Sequence, residues 1–184
     1  MKTILIVVGV VVVVGAVFVF SSYNGFVRAN EAINNQWAQV ETQYQRRFDL
    51  IPNLVSSVQG IMKQEQKIFG DLADARTRYG GAASIEGKVA AANQVESALS
   101  RLLFVMENYP QLKSSENIQT LQAQLEGTEN RISVERGRYN DAVKSFNVMA
   151  KTFPSNVIAG MFGFTERIYF EAAQGAENVP AVSL

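Results

Sequence analysis

The sequence predicts an all-α protein in which an N-terminal transmembrane helix precedes an antiparallel up-and-down four-helix bundle with long helices. Two observations carry this prediction. Residues 4–20 form an uninterrupted apolar run, and a helix of that length spans about 26 Å, close to the hydrocarbon thickness of a bilayer. From there to about residue 153, apolar residues recur at the three- and four-residue spacings of amphipathic helices, without the alternation typical of strands.

The apolar run is interpreted as a membrane anchor that occupies residues 1–22. Lipid would force its backbone groups to pair within a helix. A cleaved secretory signal is the alternative, because Lys2 precedes the run and residues 14–16 resemble a cleavage site. Apolar residues continue to Phe20, where a signal would turn polar, so the anchor is preferred. The residues that represent it are Ile4, Val8, Val12, Phe18 and Phe20.

The composition argues against several functional classes. The chain has 184 residues with 17 basic and 17 acidic side chains, so no overall field attracts nucleic acid. Cysteine and histidine are both absent, which removes thiolate nucleophiles and the commonest general base. A carboxylate-based metal-dependent hydrolase is kept as a remote alternative, although no acidic cluster has ligand spacing. We predict a protein that is not an enzyme, has no cofactor and does not bind nucleic acid.

Four helices are predicted in the bundle domain, which covers residues 23–153. The fourth has the clearest pattern, since apolar positions alternate spacings of three and four over about five heptads. Thr128 and Glu135 are polar exceptions in this stripe. A seam of the bundle explains the pattern, and the polar positions are expected to set register or to face a second subunit. The approximate ranges of the four helices are 26–46, 50–78, 85–108 and 116–153.

Residues 46–52 predict the turn between the first and second helices. Arg46 and Arg47 suit the negative end of one helix, and Asp49 and Pro52 suit the first turn of the next. Up-and-down topology would place this turn beside the one that precedes the fourth helix, at the membrane-distal tip. We expect a partner-binding surface there, with helix capping and a surface salt bridge as the alternative. Its residues are Arg46, Arg47, Asp49, Pro52, Tyr109 and Lys113.

Residues 154–184 form an apolar and aromatic C-terminal tail. Its stretch from 157 to 170 is too short and too interrupted by glycine to span a bilayer. It is expected either to lie at the membrane interface, or to fold back on the bundle or cap a second subunit. The candidate membrane-interface residues are Met161, Phe162, Phe164, Tyr169 and Phe170.

Several motifs resemble those of the LemA family. Residues 46–55 read Arg-Arg-Phe-Asp-Leu-Ile-Pro-Asn-Leu-Val, and similar blocks follow in order at 109–113, 128–132, 139–143 and 153–154. The resemblance covers nearly the whole chain. It implies a bacterial single-pass membrane protein with an N-terminal anchor and a helical bundle, related to a magnetosome-associated member of the family. It implies no activity, because the family has no established catalytic residues.

These observations favour a non-enzymatic scaffold in the bacterial inner membrane. We expect it to form a homo-oligomer, to contact membrane lipid and to engage another membrane or envelope protein. A membrane-remodelling or bilayer-sensing oligomer is the alternative function. Lys2 and the terminal amine precede the apolar run, whereas Arg28 beyond it is offset by Glu31. The positive-inside rule therefore places the N-terminus inside and the bundle on the exported (periplasmic or extracellular) side.

Overall fold

The structure is a computed structural model that describes residues 1–170. These residues form six α-helices and no strand, which confirms the prediction of an all-α fold. Two helices, α4 and α6, have only four and eight residues. The bounds are α1 (Lys2–Val58), α2 (Gln66–Gly81), α3 (Ile85–Met106), α4 (Pro110–Lys113), α5 (Glu116–Lys151) and α6 (Ser155–Phe162).

The turn predicted at residues 46–52 is wrong, because α1 continues through it to Val58. Pro52 lies inside the helix, where it lacks an N–H group and therefore one helical hydrogen bond. Its neighbours Ile51 and Leu54 are buried, so the packing of the apolar stripe outweighs that loss. The chain instead leaves α1 between residues 59 and 65, and the predicted second helix is divided between the end of α1 and α2.

The third and fourth predicted helices correspond to α3 and α5. Ser84 caps α3, since its hydroxyl accepts a hydrogen bond of 3.0 Å from the Gly87 N–H. Pro110 is the first residue of α4, a position where a missing N–H costs little. The polar exceptions in the α5 stripe bond within their own helix: Thr128 donates to the Leu125 carbonyl at 2.7 Å, and Glu135 pairs with Arg138.

The chain divides into two compact units, and α1 and α5 contribute residues to both. Unit 1 consists of Met1–Gln39 and Glu135–Tyr169. Unit 2 consists of Val40–Val134 together with Phe170 among the described residues. The part of the predicted tail at 171–184 lies outside the described residues.

In unit 1, α1 and α5 run antiparallel. The Phe26 and Phe146 ring centroids lie 5.7 Å apart, and those of Trp37 and Tyr139 lie 5.6 Å apart. Residue numbers therefore rise along α1 as those of their contacts on α5 fall. Apolar burial is the main stabilising term in such a core. The buried residues of unit 1 include Phe26, Ile33, Trp37, Tyr139, Val143, Phe146, Ile158 and Ala159.

In unit 2, the segments of α1 and α5 are again antiparallel, with Ser57 bonded to Asn117 and Arg47 paired with Glu129. Helices α2 and α3 pack against each other. Tyr79 of α2 packs against two aromatic rings of α1. The centroid of its ring lies 5.5 Å from that of Tyr44 and 4.7 Å from that of Phe48. Other buried apolar residues of this unit include Ile51, Leu54, Met62, Leu72, Val95, Leu102, Leu112, Leu121 and Ile132.

Candidate functional site

The apolar segment of α1 is exposed along its length. Ile4, Val8, Val12 and Phe20 are each more than half exposed, and Phe18 is 38% exposed. An 18-residue window of this segment has a mean hydropathy of 3.1 and none of it is buried. By length and composition α1 is able to cross a membrane, a criterion that signal sequences also meet.

Beyond the apolar segment, an aromatic cluster in unit 1 joins α1 to the chain around α6. We define it as Tyr23, Phe26, Phe146, Phe162 and Phe164. The Tyr23 ring lies 5.0 Å from Phe162 and 5.7 Å from Phe164, and Phe26 stacks on Phe164 at 4.8 Å. Contacts of this geometry add specific stabilisation to apolar burial. The start of the tail therefore folds back on unit 1.

A left-handed residue at the end of α6 directs Phe164 into this cluster. Gly163 has φ 74°, and the Ala159 carbonyl accepts hydrogen bonds from the N–H groups of both Gly163 and Phe164. Glycine adopts this conformation without the steric cost that a side chain would add. Without that reversal the chain would leave α6 in another direction.

Asn147 fixes the chain that follows. Its amide donates to the Arg167 carbonyl and accepts from the Arg167 N–H, both at 2.8 Å. The Tyr139 hydroxyl donates to the Ile168 carbonyl at 3.2 Å, and the Arg167 guanidinium donates to Asn30 at 2.6 Å. The chain at 167–168 is thus tied to α5 and α1 by polar contacts.

The five predicted tail residues have different environments. Phe162 and Phe164 belong to the aromatic cluster, whereas Met161 is 69% exposed and Tyr169 is exposed. Phe170 is buried. Contact of these residues with lipid stays a prediction.

Among the residues predicted at the bundle tip, Arg47 has a buried side chain. It is 2% exposed and its guanidinium forms an ion pair with Glu129 of α5. Arg46, Asp49 and Pro52 are exposed, and Asp49 accepts a hydrogen bond from Gln45 at 2.9 Å. These residues lie within α1 rather than at a turn.

Tyr109 and Lys113 lie at the two ends of the α4 segment, where Tyr109 precedes Pro110 and Lys113 is the last residue of the helix. Tyr109 is partly buried and Lys113 is exposed. Binding of a partner by the six predicted residues stays a prediction.

Arg47 also lines a groove between α3 and α5 in unit 2. We call this the acidic groove; its volume is about 520 Å³. Leucine side chains of both helices, four glutamates and one arginine contribute to its lining. Its lining residues are Arg47, Glu96, Leu99, Ser100, Leu103, Glu107, Gln122, Leu125, Glu126 and Glu129.

Sequence reasoning missed the groove because isolated glutamates on a helix usually indicate a solvated face. Glu96 lies on α3 and Glu107 directly follows its last residue, whereas Glu126 and Glu129 lie on α5, so only the pairing of the two helices unites them. Two sequence signals were available. Glu129 lies in the block 128–132, which resembles the LemA family, and an antiparallel bundle places this block opposite Arg47.

A second cavity of unit 2, of about 610 Å³, lies beside Tyr79. Glu41 and Lys88 form an ion pair on its lining. Burial raises the pKa of Tyr79 well above its usual value, and the Glu41 carboxylate adds to the increase. The buried Tyr79 oxygen has no hydrogen-bond partner within residues 1–170. A phenol whose pKa is raised in this way stays protonated near neutral pH.

No group of three or more acidic side chains suited to holding a metal ion occurs within the part of the chain that the structure describes.

The all-α fold and the exposed apolar segment of α1 define a helical-bundle protein with a candidate membrane-spanning helix. The profile of the LemA family matches residues 36–184. The chain belongs to the LemA family, as the sequence motifs predicted.

Three curated relatives carry the name magnetosome protein MamQ. Two of them, MamQ 1 and MamQ 2 of Paramagnetospirillum magneticum, are 27% identical to this chain over 175 residues. MamQ of Magnetospirillum gryphiswaldense is 25% identical over 174 residues. The alignments cover 80–81% of this chain and 64% of each relative. The chain thus spans less than two thirds of the length of the relatives that it matches.

Proposed function

We propose that this protein is a non-enzymatic scaffold, anchored in the bacterial inner membrane through residues 4–20, whose oligomers hold another membrane or envelope protein. The observation that carries the proposal is the continuity of α1. The helix is exposed and apolar as far as Phe20, and it buries Phe26 and Ile33 in the core of unit 1. Membership of the LemA family and the magnetosome relatives support this function.

The acidic groove is the proposed docking surface of the scaffold. Leu103 is partly exposed in its lining, whereas Leu99 and Leu125 are buried, and four glutamates line the groove with a single arginine. Charge complementarity selects an amphipathic helix of the partner protein, with apolar residues along one face and lysine or arginine beside them. The ion pair of the buried Arg47 side chain with the partly exposed Glu129 holds one side of the groove in place.

Binding of a defined peptide tests this docking surface. The probe is a labelled amphipathic helix of leucine and lysine, and a peptide of the same composition in scrambled order is its control. The double variant Glu107→Gln/Glu126→Gln of the full chain in mild detergent should weaken binding about tenfold or more, because each lost charge pair is desolvated in the complex. Glu86→Gln, on α3 outside the groove, should leave the affinity unchanged.

Two outcomes contradict the docking surface. One is equal affinity for the ordered and the scrambled peptide, and the other is equal affinity of the wild type and the double variant. Self-association is measured separately by mass photometry of the wild-type protein at several concentrations. A strict monomer throughout would contradict the oligomeric scaffold.

A second candidate function is the sensing or remodelling of a bilayer. The exposed apolar side chains Val157 and Met161 of α6 favour it, because apolar side chains at a membrane surface wedge between lipids. Electron cryo-microscopy of liposomes with and without the full-length protein tests this function. Identical vesicle shapes at high protein density would contradict it.

A further inference from the structure

Helix α6 carries apolar residues on two sides, and unit 1 covers only one of them. Ile158 and Ala159 are buried, whereas Val157 is 52% exposed and Met161 is 69% exposed. Val157 and Met161 are four residues apart and share a face of the helix. Phe153, just before α6, is 77% exposed. Two exposed apolar residues on one helix face, with a third close to them in sequence, indicate a candidate surface for contact with an apolar partner.

The position of α6 within unit 1 identifies what covers that face. Phe162, the last residue of α6, contacts the ring of Tyr23 at 5.0 Å. Tyr23 follows the last residue of the apolar run, Phe20, by about 4.5 Å along α1. The helix therefore lies beside the point at which α1 changes from apolar to polar.

We infer that α6 is an interfacial helix whose outer face, formed by Val157 and Met161 with Phe153 beside it, inserts into the headgroup and acyl boundary of the bilayer. This inference rests on the proposed anchoring by residues 4–20. An eight-residue helix is too short to span a membrane but long enough to lie along its surface. Continuity with the apolar segment of α1 selects lipid as the occupant rather than a second copy of the chain.

The chemistry of α6 also indicates the kind of lipid contact. Its sequence, SNVIAGMF, contains no charged residue, so attraction to anionic headgroups is not its source of affinity. Binding should come from apolar burial and be insensitive to ionic strength, unlike that of basic interfacial helices. Zwitterionic lipid is therefore sufficient for the contact.

Depth-dependent quenching in liposomes tests the inference on the full-length chain. The protein contains no cysteine, so single substitutions can each carry one fluorescent label. Met161→Cys reports on α6 and Val12→Cys reports on the anchor. Gly137→Cys is the control, because a side chain there meets no neighbour and Gly137 lies about 21 Å along α5 from Lys151.

The expected result in zwitterionic liposomes is strong quenching of the Val12 label by lipids brominated deep in the acyl chain. The Met161 label should be quenched best by lipids brominated near the headgroup, and added salt should not change this. The Gly137 label should not be quenched. Circular dichroism of each labelled variant establishes that the helices are retained.

The other outcomes overturn the inference in distinguishable ways. Quenching of the Val12 label without quenching of the Met161 label would reject the interfacial helix and leave the anchor standing. Failure of both labels would reject the anchoring on which the inference rests. Energy transfer between Met161 labels on different chains, without lipid quenching, would show that a second copy covers α6 and would also reject lipid contact.

Discussion

Arg47 is only 2% exposed, yet its ion-pair partner Glu129 is 41% exposed. One charge of the pair therefore has access to water and the other does not. A buried guanidinium depends on its carboxylate for the energy that hydration would otherwise supply, whereas a half-exposed carboxylate is solvated without its partner. The two ends of this pair are consequently unequal in their effect on stability.

Glu129→Gln should lower the free energy of unfolding by about 1–3 kcal/mol, because it removes the charge that faces a buried guanidinium. Arg47→Met, which replaces that guanidinium by an apolar chain of similar length, should cost less than about 1 kcal/mol. Thermal unfolding of the two variants in mild detergent, monitored by circular dichroism, checks which substitution costs more stability. A larger loss for Arg47→Met would contradict this account of the pair.

Pro52→Ala should stabilise the protein by about 1–3 kcal/mol, because alanine restores the N–H that proline lacks inside α1 and removes the clash of its ring. Pro110→Ala is the matched control. Pro110 begins α4, where proline is favoured, so its replacement should be neutral or destabilising. The thermal unfolding midpoints of both variants show whether only Pro52→Ala stabilises the protein. Destabilisation by Pro52→Ala would favour the turn that the sequence predicted at 46–52.

The position of that turn shows where local sequence signals are insufficient. Arg46, Asp49 and Pro52 each satisfy a preference of helix ends, but such preferences are worth only about 0.3–1 kcal/mol each. Burial of Phe48, Ile51 and Leu54 contributes about 1.5–3 kcal/mol per side chain. The burial of these side chains outweighs the local preferences for a helix end, so α1 continues to Val58.

The helices with strong periodicity or clear punctuation were predicted well. Apolar spacing located α5, and α3 begins at Ile85 as predicted, whereas the four-residue helix α4 that begins at Pro110 was not predicted. Contacts between distant segments were not predictable from one sequence. Arg47 was singled out and Glu129 lies in the block 128–132, but their pairing requires the antiparallel alignment of α1 and α5. The bonds of Asn147 to the Arg167 backbone have no sequence signal that distinguishes them from an ordinary polar residue.

Asn147→Ala should destabilise unit 1 by about 1–3 kcal/mol, because two partly buried hydrogen bonds to the Arg167 backbone are lost. Hydrogen exchange at residues 165–168 should accelerate, and mass spectrometry of peptides from this region measures it. Asn34→Ala is the control, since Asn34 is exposed and makes only a 3.5 Å contact with Glu31. Unchanged exchange in the Asn147 variant would show that other contacts hold this segment.

Tyr79→Phe should leave stability at neutral pH unchanged or increase it by about 1 kcal/mol, because the substitution removes a buried hydroxyl that lacks a partner in the described structure. The aromatic contacts with Tyr44 and Phe48 are kept. Thermal unfolding at about pH 7 measures the effect. A loss of more than about 1 kcal/mol would indicate that the hydroxyl has a partner.

The pH dependence of the same variant provides a second measurement. The folded protein raises the pKa of Tyr79 above its unfolded value, which is about 10. Above that pH the unfolded chain releases a proton that the folded chain retains. Wild-type stability should therefore decrease, relative to Tyr79→Phe, by up to about 1.4 kcal/mol per pH unit as the pH rises through 10. Parallel stability profiles at about pH 9 and 10.5 would contradict the raised pKa.

The unbroken course of α1 has a consequence for rotation about the helix axis. Each residue turns an α-helix by about 100° and advances it by about 1.5 Å. A single residue inserted between Phe20 and Phe26 would therefore swing the faces of the apolar segment by more than a quarter turn relative to the core of unit 1. A change of about seven residues, close to two full turns, or of about eleven residues, close to three, preserves the angular phase. The direction in which each face of the apolar segment points, relative to the core of unit 1, is thus set by α1 itself.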